Sequence, residues 1–343
     1  MALTRRLNFF AVLVVLVSTV ARPVAARADD PPKQPRLDVE TYLDWEQVSD
    51  PQISPDGSLI LYTRQWVNRL EDKWESAIWI MGADGGKNRY LVRGSAARWS
   101  PDGTRIAWLA EGEPKGTQIF MRWLDGEGAS TQVTRLTEPP ANIQWSPDGR
   151  QISFTMITRK EEAAWKIDMP APPKGATWTE APKIIEARNY RVDRQGFLED
   201  GFTHLFVVAA DGGTPRQLTR GKWNVGGRPD GLPFSIGTDW TPDGQEIVFD
   251  GLAEQDADDR YRESHIYAVN VKTGEMRKIT KENGPWVNPV VSPDGRTIAF
   301  TGFAWTDQTY KTDELYVIGL DGAGNRKISG DLDRDPENLN WAA

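Results

Sequence analysis

The chain has 343 residues, no cysteine and a formal net charge of -8 at pH 7. The lack of cysteine excludes a disulfide framework, thiol catalysis and thiolate metal sites. The acidic balance disfavours binding to nucleic acid or anionic lipid, because both of these partners repel negative charge. We therefore expect no nucleic-acid partner.

The first 28 residues have the organisation of a secretory signal. Arg5 and Arg6 precede an apolar run over residues 9–20, and Ala26 to Ala28 has the small-x-small pattern of a cleavage site. An apolar run of this length is too short to span a bilayer. We expect a periplasmic or secreted protein with no membrane span after cleavage. Cleavage removes four arginines and no acid, which takes the formal charge from -8 to -12.

Five later segments repeat one motif, in which Ser/Thr-Pro-Asp-Gly is followed by alternating apolar residues. They are QISPDGSLILYT from residue 52, RWSPDGTRIAWL from 98, QWSPDGRQISFT from 144, DWTPDGQEIVFD from 239 and VVSPDGRTIAFT from 290. Proline presets φ at the second turn position, aspartate suits the third, and glycine accepts the positive φ that closes the turn. Two antiparallel strands must therefore flank each motif.

The residues after each turn place an apolar pair on one strand face. The pairs are Ile106 and Trp108, Ile152 and Phe154, Ile247 and Phe249, and Ile298 and Phe300. A spacing of two residues puts both side chains on the same face, which we expect to be the core. A further strand in each repeat ends on an aliphatic residue, namely Leu91, Leu136, Leu218, Ile279 and Ile328.

The repeats predict an all-β chain that forms a β-propeller of four-stranded antiparallel blades. The repeat spacings are 46, 46, 95 and 51 residues. We place the propeller at residues 46–343 and a leader at 29–45. The spacing of 95 indicates an insertion in the third blade at about residues 157–202, and an irregular stretch of that length is more often functional or mobile than incidental.

The last residues of the chain continue the repeat. The residue before Ser or Thr in the motif is Ile53, Trp99, Trp145, Trp240 and Val291 in turn. Because Trp341 lies in the same register, we expect five complete blades and the first strand of a sixth. The alternative is that residues 339–341 form a strand that closes a five-bladed ring, since propellers of four to eight blades exist.

Three stretches resemble a known family. They are YLDWEQVSDPQISPDGSLILYTR from residue 42, SAIWIMGADGG from 76 and NYRVDRQGFLEDGFTHLFVVAADGGTPRQLTRG from 189. They are similar to the amino-terminal propeller of prolyl oligopeptidase family serine peptidases of the acylaminoacyl-peptidase type, although TolB-like propellers share the repeats. The resemblance implies a seven-bladed propeller covering a separate α/β-hydrolase domain, which carries the catalytic serine, acid and histidine and receives short peptides.

The chain lacks the signature of a serine hydrolase. No Gly-x-Ser-x-Gly occurs, and PFSIG from Pro233 has proline where the first glycine belongs. The two histidines, His204 and His265, occupy a strand position that holds alanine, glutamine or glutamate in the other repeats. We interpret this as a permissive strand position, and we expect no catalytic residue, no metal site and no cofactor.

Glu161 and Glu162, at the start of the third-blade insertion, are candidate substrate-binding residues. Dipeptidyl peptidases, which are relatives of the family, place paired propeller glutamates against the free amine of a peptide, and two carboxylates suit an ammonium group. The surrounding RKEEAAW does not match that motif, so a solvated surface turn or short helix is the alternative. Arg188, Arg191 and Arg194 could instead face a carboxylate.

Two functional hypotheses follow. The first is the substrate-gating propeller of an exported serine oligopeptidase or aminopeptidase-type hydrolase, whose peptide substrate reaches a hydrolase domain missing from these residues. On this hypothesis the 343 residues alone hydrolyse no peptide. The alternative is a stand-alone TolB-like periplasmic propeller that acts as a binding or scaffolding module. The scarcity of histidine disfavours a carbohydrate-active propeller.

Overall fold

A computed structural model describes residues 37–124, 128–159, 170–179, 185, 188, 190–192, 196–198, 201–226, 236–254, 256–257, 259–260, 262–308 and 311–342. The chain divides into two compact units, residues 1–43 and 44–343. The predicted signal at residues 1–28 lies outside the described residues. In the first unit, Asp38 begins helix α1, Val39–Leu43, by accepting hydrogen bonds from Thr41 N and Thr41 Oγ1, both at 2.7 Å.

The described part of the second unit contains five four-stranded antiparallel sheets, which we call blades 1 to 5. Blade 1 consists of β1 Gln47–Ile53, β2 Leu59–Asn68, β3 Lys73–Gly82 and β4 Arg89–Arg93. Blade 2 consists of β5 Ser95–Trp99, β6 Arg105–Gly112, β7 Gly116–Trp123 and β8 Ser130–Gln132.

Blade 3 is interrupted by a two-stranded hairpin of β11 Arg191–Val192 and β12 Gly196–Phe197. Its own strands are β9 Ala141–Trp145, β10 Gln151–Arg159, β13 Gly201–Ala209 and β14 Arg216–Gln217. Blade 4 consists of β15 Thr238–Trp240, β16 Glu246–Gly251, β17 His265–Asn270 and β18 Met276–Lys278. Blade 5 consists of β19 Val287–Val291, β20 Thr297–Gly302, β21 Glu314–Gly319 and β22 Arg326–Lys327. The predicted all-β propeller architecture is confirmed.

The core lies in the seams between neighbouring blades. Four buried apolar clusters each combine side chains from two adjacent blades. The predicted apolar pairs are all in these seams, and Phe154, Phe249 and Phe300 are fully buried. Each buried side chain of this size contributes about 1.5 to 3 kcal/mol through the area it removes from water. One blade cannot bury both faces alone, which is why the blades stack.

The predicted end of the outermost strand, Leu136, is wrong in blade 2, where this strand ends at Gln132. In blades 3, 4 and 5 the amide of the aliphatic residue that follows the outermost strand donates to a carbonyl of the third strand, as Leu218 N does to Leu205 O at 2.8 Å. In blade 2 this bond is made by Val133 N to Ile119 O at 2.8 Å, and Leu136 lies further along the connection. Strand β8 has only three residues, so the hydrogen bond that follows the outermost strand is made by Val133, three residues before Leu136.

The Ser/Thr-Pro-Asp-Gly turns form as predicted and lie next to one another. In each of them the aspartate Oδ1 accepts the Ser or Thr hydroxyl at 2.6 Å. The turn glycines have φ between 67° and 72°, a conformation that disfavours residues with a side chain. A Cβ on Gly103 would lie 3.4 Å from Cδ of Pro55, and Gly295 has the same relation to Pro242.

The first strand of the repeat bulges at one position. The residue three places before the end of the first strand has a positive φ at Asp50, Ala96, Asn142 and Asn288, and the strand register shifts there. The fourth repeat has Gly237 at this position instead. Asn338, which precedes Trp341 by three residues, also has a positive φ of 53°. The backbone of the last residues therefore follows the repeat.

Residues 339–342 form no strand in the structure. The predicted first strand of a sixth blade is therefore not formed, although Trp341 keeps the position of the repeat. In the other blades the first strand pairs with the second strand of its own blade, and the described residues contain no strand paired with 339–342. Trp341 nevertheless docks on blade 5, since its indole Nε1 donates to Val290 O at 3.0 Å.

Candidate functional site

The antiparallel order gives the propeller two different ends. The short turns between first and second strands and between third and fourth strands lie at one end, which we call the turn end. The links between second and third strands and between blades lie at the other, which we call the connection end. First strands of successive blades contact each other at β1–β5, β5–β9 and β15–β19, and Gln144 Nε2 on β9 donates to Thr238 O on β15 at 2.6 Å. The long connections 252–264, 303–313 and the third-blade insertion all leave from the connection end.

The third-blade insertion occupies residues 160–200, because main-chain pairing continues to Arg159 on β10 and resumes at Gly201 on β13. It is shorter than the predicted span of about 157–202. Its β11–β12 hairpin is supported by the rings of Tyr190 and Phe197, whose centroids are 6.1 Å apart. Insertions on a rigid sheet scaffold commonly carry binding residues.

The candidate residues in the insertion have different outcomes. Glu161 and Glu162 lie outside the described residues, as does Arg194. Arg188 Nη1 forms an ion pair with Asp259 Oδ1 of blade 4 at 2.9 Å, and its side chain is mostly exposed. Arg191 begins the hairpin and is exposed. The amine anchor at Glu161 and Glu162 therefore stays a prediction, whereas Arg188 is paired with an acid.

The connections of blades 4 and 5 form a charged and aromatic surface. Arg260 forms ion pairs with Glu254 and with Glu263, within the same connection. The guanidinium of Arg262 lies 5.5 Å from the ring centroid of Trp305, and its Nη2 donates to Gln308 O at 2.7 Å. Trp305 is still 45% exposed. An exposed indole on an anchored loop can bind an apolar or cationic group.

The two histidines are buried and make structural hydrogen bonds. His204 is 2% exposed, its Nδ1 lies 3.1 Å from Thr219 Oγ1, and its Nε2 lies 3.1 Å from Gly221 O. His265 is fully buried, with Nδ1 3.1 Å from Thr280 Oγ1. Burial lowers the pKa of both imidazoles, that of His265 to about 4, so both are neutral at pH 7.

A polar bond crosses each seam near the centre, and sequence reasoning missed this set. Trp99 Nε1 donates to Gln52 O at 3.2 Å, and Trp145 Nε1 to Arg98 O at 3.0 Å. At the next seam Trp240 Nε1 donates to Ser153 Oγ at 2.9 Å.

The seam between blades 4 and 5 is different. There the bond runs from Val291 N to Asp239 Oδ2 at 2.7 Å. No local sequence pattern marks these acceptors, because Gln52 and Arg98 accept through main-chain oxygens and Ser153 lies on the second strand of blade 3.

The described ranges contain neither a cluster of metal ligands nor a membrane-spanning helix. Within them, no group of three or more His, Asp or Glu side chains is arranged to hold a metal ion. No helix in the same part of the chain combines the length and apolar character needed to cross a membrane.

A family profile described as "Dipeptidyl peptidase IV (DPP IV) N-terminal region" matches residues 176–302. The match runs from the third-blade insertion to the second strand of blade 5. This segment of the chain is similar to the N-terminal region of dipeptidyl peptidase IV. The interruption in blade 3 lies partly within the matched segment.

Curated relatives of this chain include two longer proteins. It is 26% identical to the uncharacterized peptidase YuxL of Bacillus subtilis over 226 residues, which are 65% of this chain and 32% of the relative. It is 23% identical to dipeptidyl-peptidase 5 of Porphyromonas gingivalis over 326 residues, 89% of this chain and 44% of the relative. The chain spans less than half the length of either.

Solved structures share the fold. Pyrococcus horikoshii acylaminoacyl peptidase superposes with a TM-score of 0.62 at 22% identity, covering 86% of this chain and 41% of that one. The β-propeller domain of the Trilobed protease from Pyrococcus furiosus, described as having an open velcro topology, superposes with a TM-score of 0.51 at 17% identity. That match covers 84% of this chain and 72% of the other.

Proposed function

We propose that this chain is the substrate-gating propeller of an exported serine peptidase, and that it selects and positions short peptides for an α/β-hydrolase domain. The observation that carries the proposal is the match of residues 176–302 to the dipeptidyl peptidase IV N-terminal region. The two buried, neutral histidines support placing the catalytic residues in the hydrolase domain and not in the propeller, since neither imidazole is exposed to accept a proton from a nucleophile.

Selection is steric in this proposal. The first strands of neighbouring blades lie close together, and the connection end carries the long links, so in this proposal an extended peptide reaches that end and a folded protein does not. Positioning of this kind raises the effective concentration of a substrate without any bond being made or broken by the propeller. The exposed indole of Trp305 supplies an apolar contact at that end.

Peptide binding by the purified chain tests the proposal. A fluorescently labelled unstructured peptide is compared, by polarisation, with the same sequence held inside a folded protein. We expect the free peptide to bind and the folded form not to bind. Equal binding of the two forms, or binding of neither, would contradict steric selection.

A matched pair of variants locates the binding end. Trp305 at the connection end and Trp123 at the turn end are 45% and 44% exposed. We expect Trp305→Ala to weaken peptide binding and Trp123→Ala to leave it unchanged, because each removes the same side chain from an opposite end. The reverse order would assign binding to the turn end.

We also propose that the protein is exported with cleavage after Ala28, to the periplasm or the medium. The support is the order of Arg5 and Arg6, the apolar run and the small residues before Asp29. Amino-terminal sequencing of the protein from the exported fraction should begin at Asp29. Recovery of an intact Met1 terminus from the cytoplasm alone would contradict export.

A further inference from the structure

Trp305 is anchored at several points in the connection 303–313 of blade 5. Its main-chain N donates to Asn283 O at 2.9 Å, and Phe303, two residues earlier, is buried. Arg262, from the blade 4 connection, stacks on the indole and donates through Nη2 to Gln308 O at 2.7 Å. The indole is nevertheless 45% exposed. An aromatic side chain that is already fixed in place loses little conformational entropy when it binds a ligand.

Both aromatic rings that the structure describes in this connection already contact a cation of the protein. The guanidinium of Arg262 lies 5.5 Å from the ring centroid of Trp305, and Lys311 Nζ lies 5.3 Å from that of Phe303. A ring attracts a cation through the negative charge of its π face. Because each contact uses this attraction and places a positive charge beside the ring, a cation of the ligand gains less here than at an unoccupied ring.

An aromatic side chain of a ligand has no such disadvantage at Trp305. Aromatic rings pack on an indole in offset-stacked or edge-to-face arrangements, which add to the gain from burying apolar area. Blade 5 contains an example in its core, where Trp286 packs edge-to-face on Phe300 with the ring centroids 5.5 Å apart. The exposed part of the Trp305 indole offers the same type of contact to a ligand.

We propose that Trp305 is a specificity-determining residue that binds an aromatic side chain of a short peptide in preference to a basic one. Arg262 is the positioning residue, because it holds the indole and places a positive charge against it. The inference rests on the proposed peptide-binding function and names the class of peptide that this function selects.

Three pentapeptides with one amino-terminal fluorophore test the preference by polarisation on the whole chain. Their sequences differ only at the central position, which is phenylalanine, alanine or lysine between glycines. We expect the phenylalanine peptide to bind about 10-fold more tightly than the alanine peptide. The lysine peptide should bind no more tightly than the alanine peptide, because the indole already has a cationic neighbour.

Variants assign the preference to the indole and its cation. Trp305→Ala should bind the phenylalanine and alanine peptides equally, whereas Trp123→Ala, at the turn end, should keep the preference. Arg262→Met removes the charge, so the lysine peptide should gain about 2- to 5-fold over the alanine peptide. Arg262→Lys keeps the charge and should show no such gain. A merely structural role of Arg262 would weaken all three peptides alike.

The outcomes separate this inference from the proposed function. Equal affinity of the phenylalanine and alanine peptides for the unmodified chain would overturn the inference and leave peptide binding in place. A lysine peptide that binds more tightly than the alanine peptide, or an aromatic preference that survives Trp305→Ala, would do the same. Binding of none of the three peptides would contradict the proposed function as well. The unmodified chain decides even if a variant fails to fold.

Discussion

The indole Nε1 of Trp341 donates a hydrogen bond to the main-chain oxygen of Val290 at 3.0 Å. Trp99 and Trp145 make the same bond to the preceding blade, in the same register. Seam bonds of this type join groups about fifty residues apart, so they form only when the blades stack. They explain why tryptophan recurs at a position where any large apolar residue would fill the core.

Trp145→Phe tests the seam bond. The substitution leaves Arg98 O without its donor in a buried seam, and we expect a loss of roughly 1 to 3 kcal/mol in the free energy of unfolding. Trp123→Phe is the control, because Trp123 and Trp145 lie 4.8 and 4.9 Å from the same Arg105 guanidinium, yet Trp123 is 44% exposed. Urea unfolding measures both. Equal losses would mean that the stacking on Arg105 matters and the seam bond does not.

The turn aspartates predict a loss of stability in acid. The Ser54 hydroxyl lowers the pKa of Asp56 to about 2, and the equivalent hydroxyls lower the pKa of Asp102, Asp148 and Asp294. A depressed carboxyl pKa stabilises the fold above the unfolded value near 3.8, and this contribution is lost as the pH falls toward about 2.

Asp102→Asn should therefore flatten the fall in the urea midpoint between about pH 4 and about pH 2. Asp307→Asn, in an exposed connection, should leave the slope unchanged. A slope that is identical in all three proteins would show that the turn carboxylates do not control acid unfolding.

His265→Gln should preserve the fold, because Gln118 fills the equivalent position in blade 2 and accepts Thr134 Oγ1 at 3.0 Å. We expect a cost below about 1 kcal/mol for glutamine and about 1 to 3 kcal/mol for His265→Leu, which leaves Thr280 Oγ1 without this partner. Thermal unfolding distinguishes the two variants. Equal costs would show that the hydrogen bond contributes nothing.

His265 also makes stability fall in acid, but through the burial of a neutral base and not through hydrogen bonds to an anion. Its folded pKa of about 4 lies below the unfolded value near 6.5, so its contribution to stability is complete above pH 6.5 and is lost as the pH falls toward 4. His265→Gln should lose less stability than the unmodified protein over that interval. A larger loss in the variant would contradict a buried neutral imidazole.

Local periodicity carries most of the fold. Turn residues and apolar pairs act within a dozen residues, which is why the blades, the seam-facing pairs and the register of Trp341 could be predicted from the sequence. The role of Val133 was not predicted, because the position of the bond that follows the outermost strand depends on the length of β8 and not on the leucine spacing.

The seam chemistry could not be predicted in the same way. The partner of Asp239 lies 52 residues away on another blade, and no local pattern distinguishes a seam carboxylate from a solvated one. The burial of both histidines depends likewise on threonines of an outer strand link. The predicted glutamate anchors, Glu161 and Glu162, stay a prediction.

We propose that the propeller gates and positions peptides without performing the chemistry. The most direct measurement incubates the purified chain with fluorogenic dipeptidyl and N-acyl-aminoacyl substrates and with a fluorophosphonate probe. We expect no turnover and no covalent labelling of any serine. Hydrolysis or labelling that follows the chain through gel filtration would contradict the account.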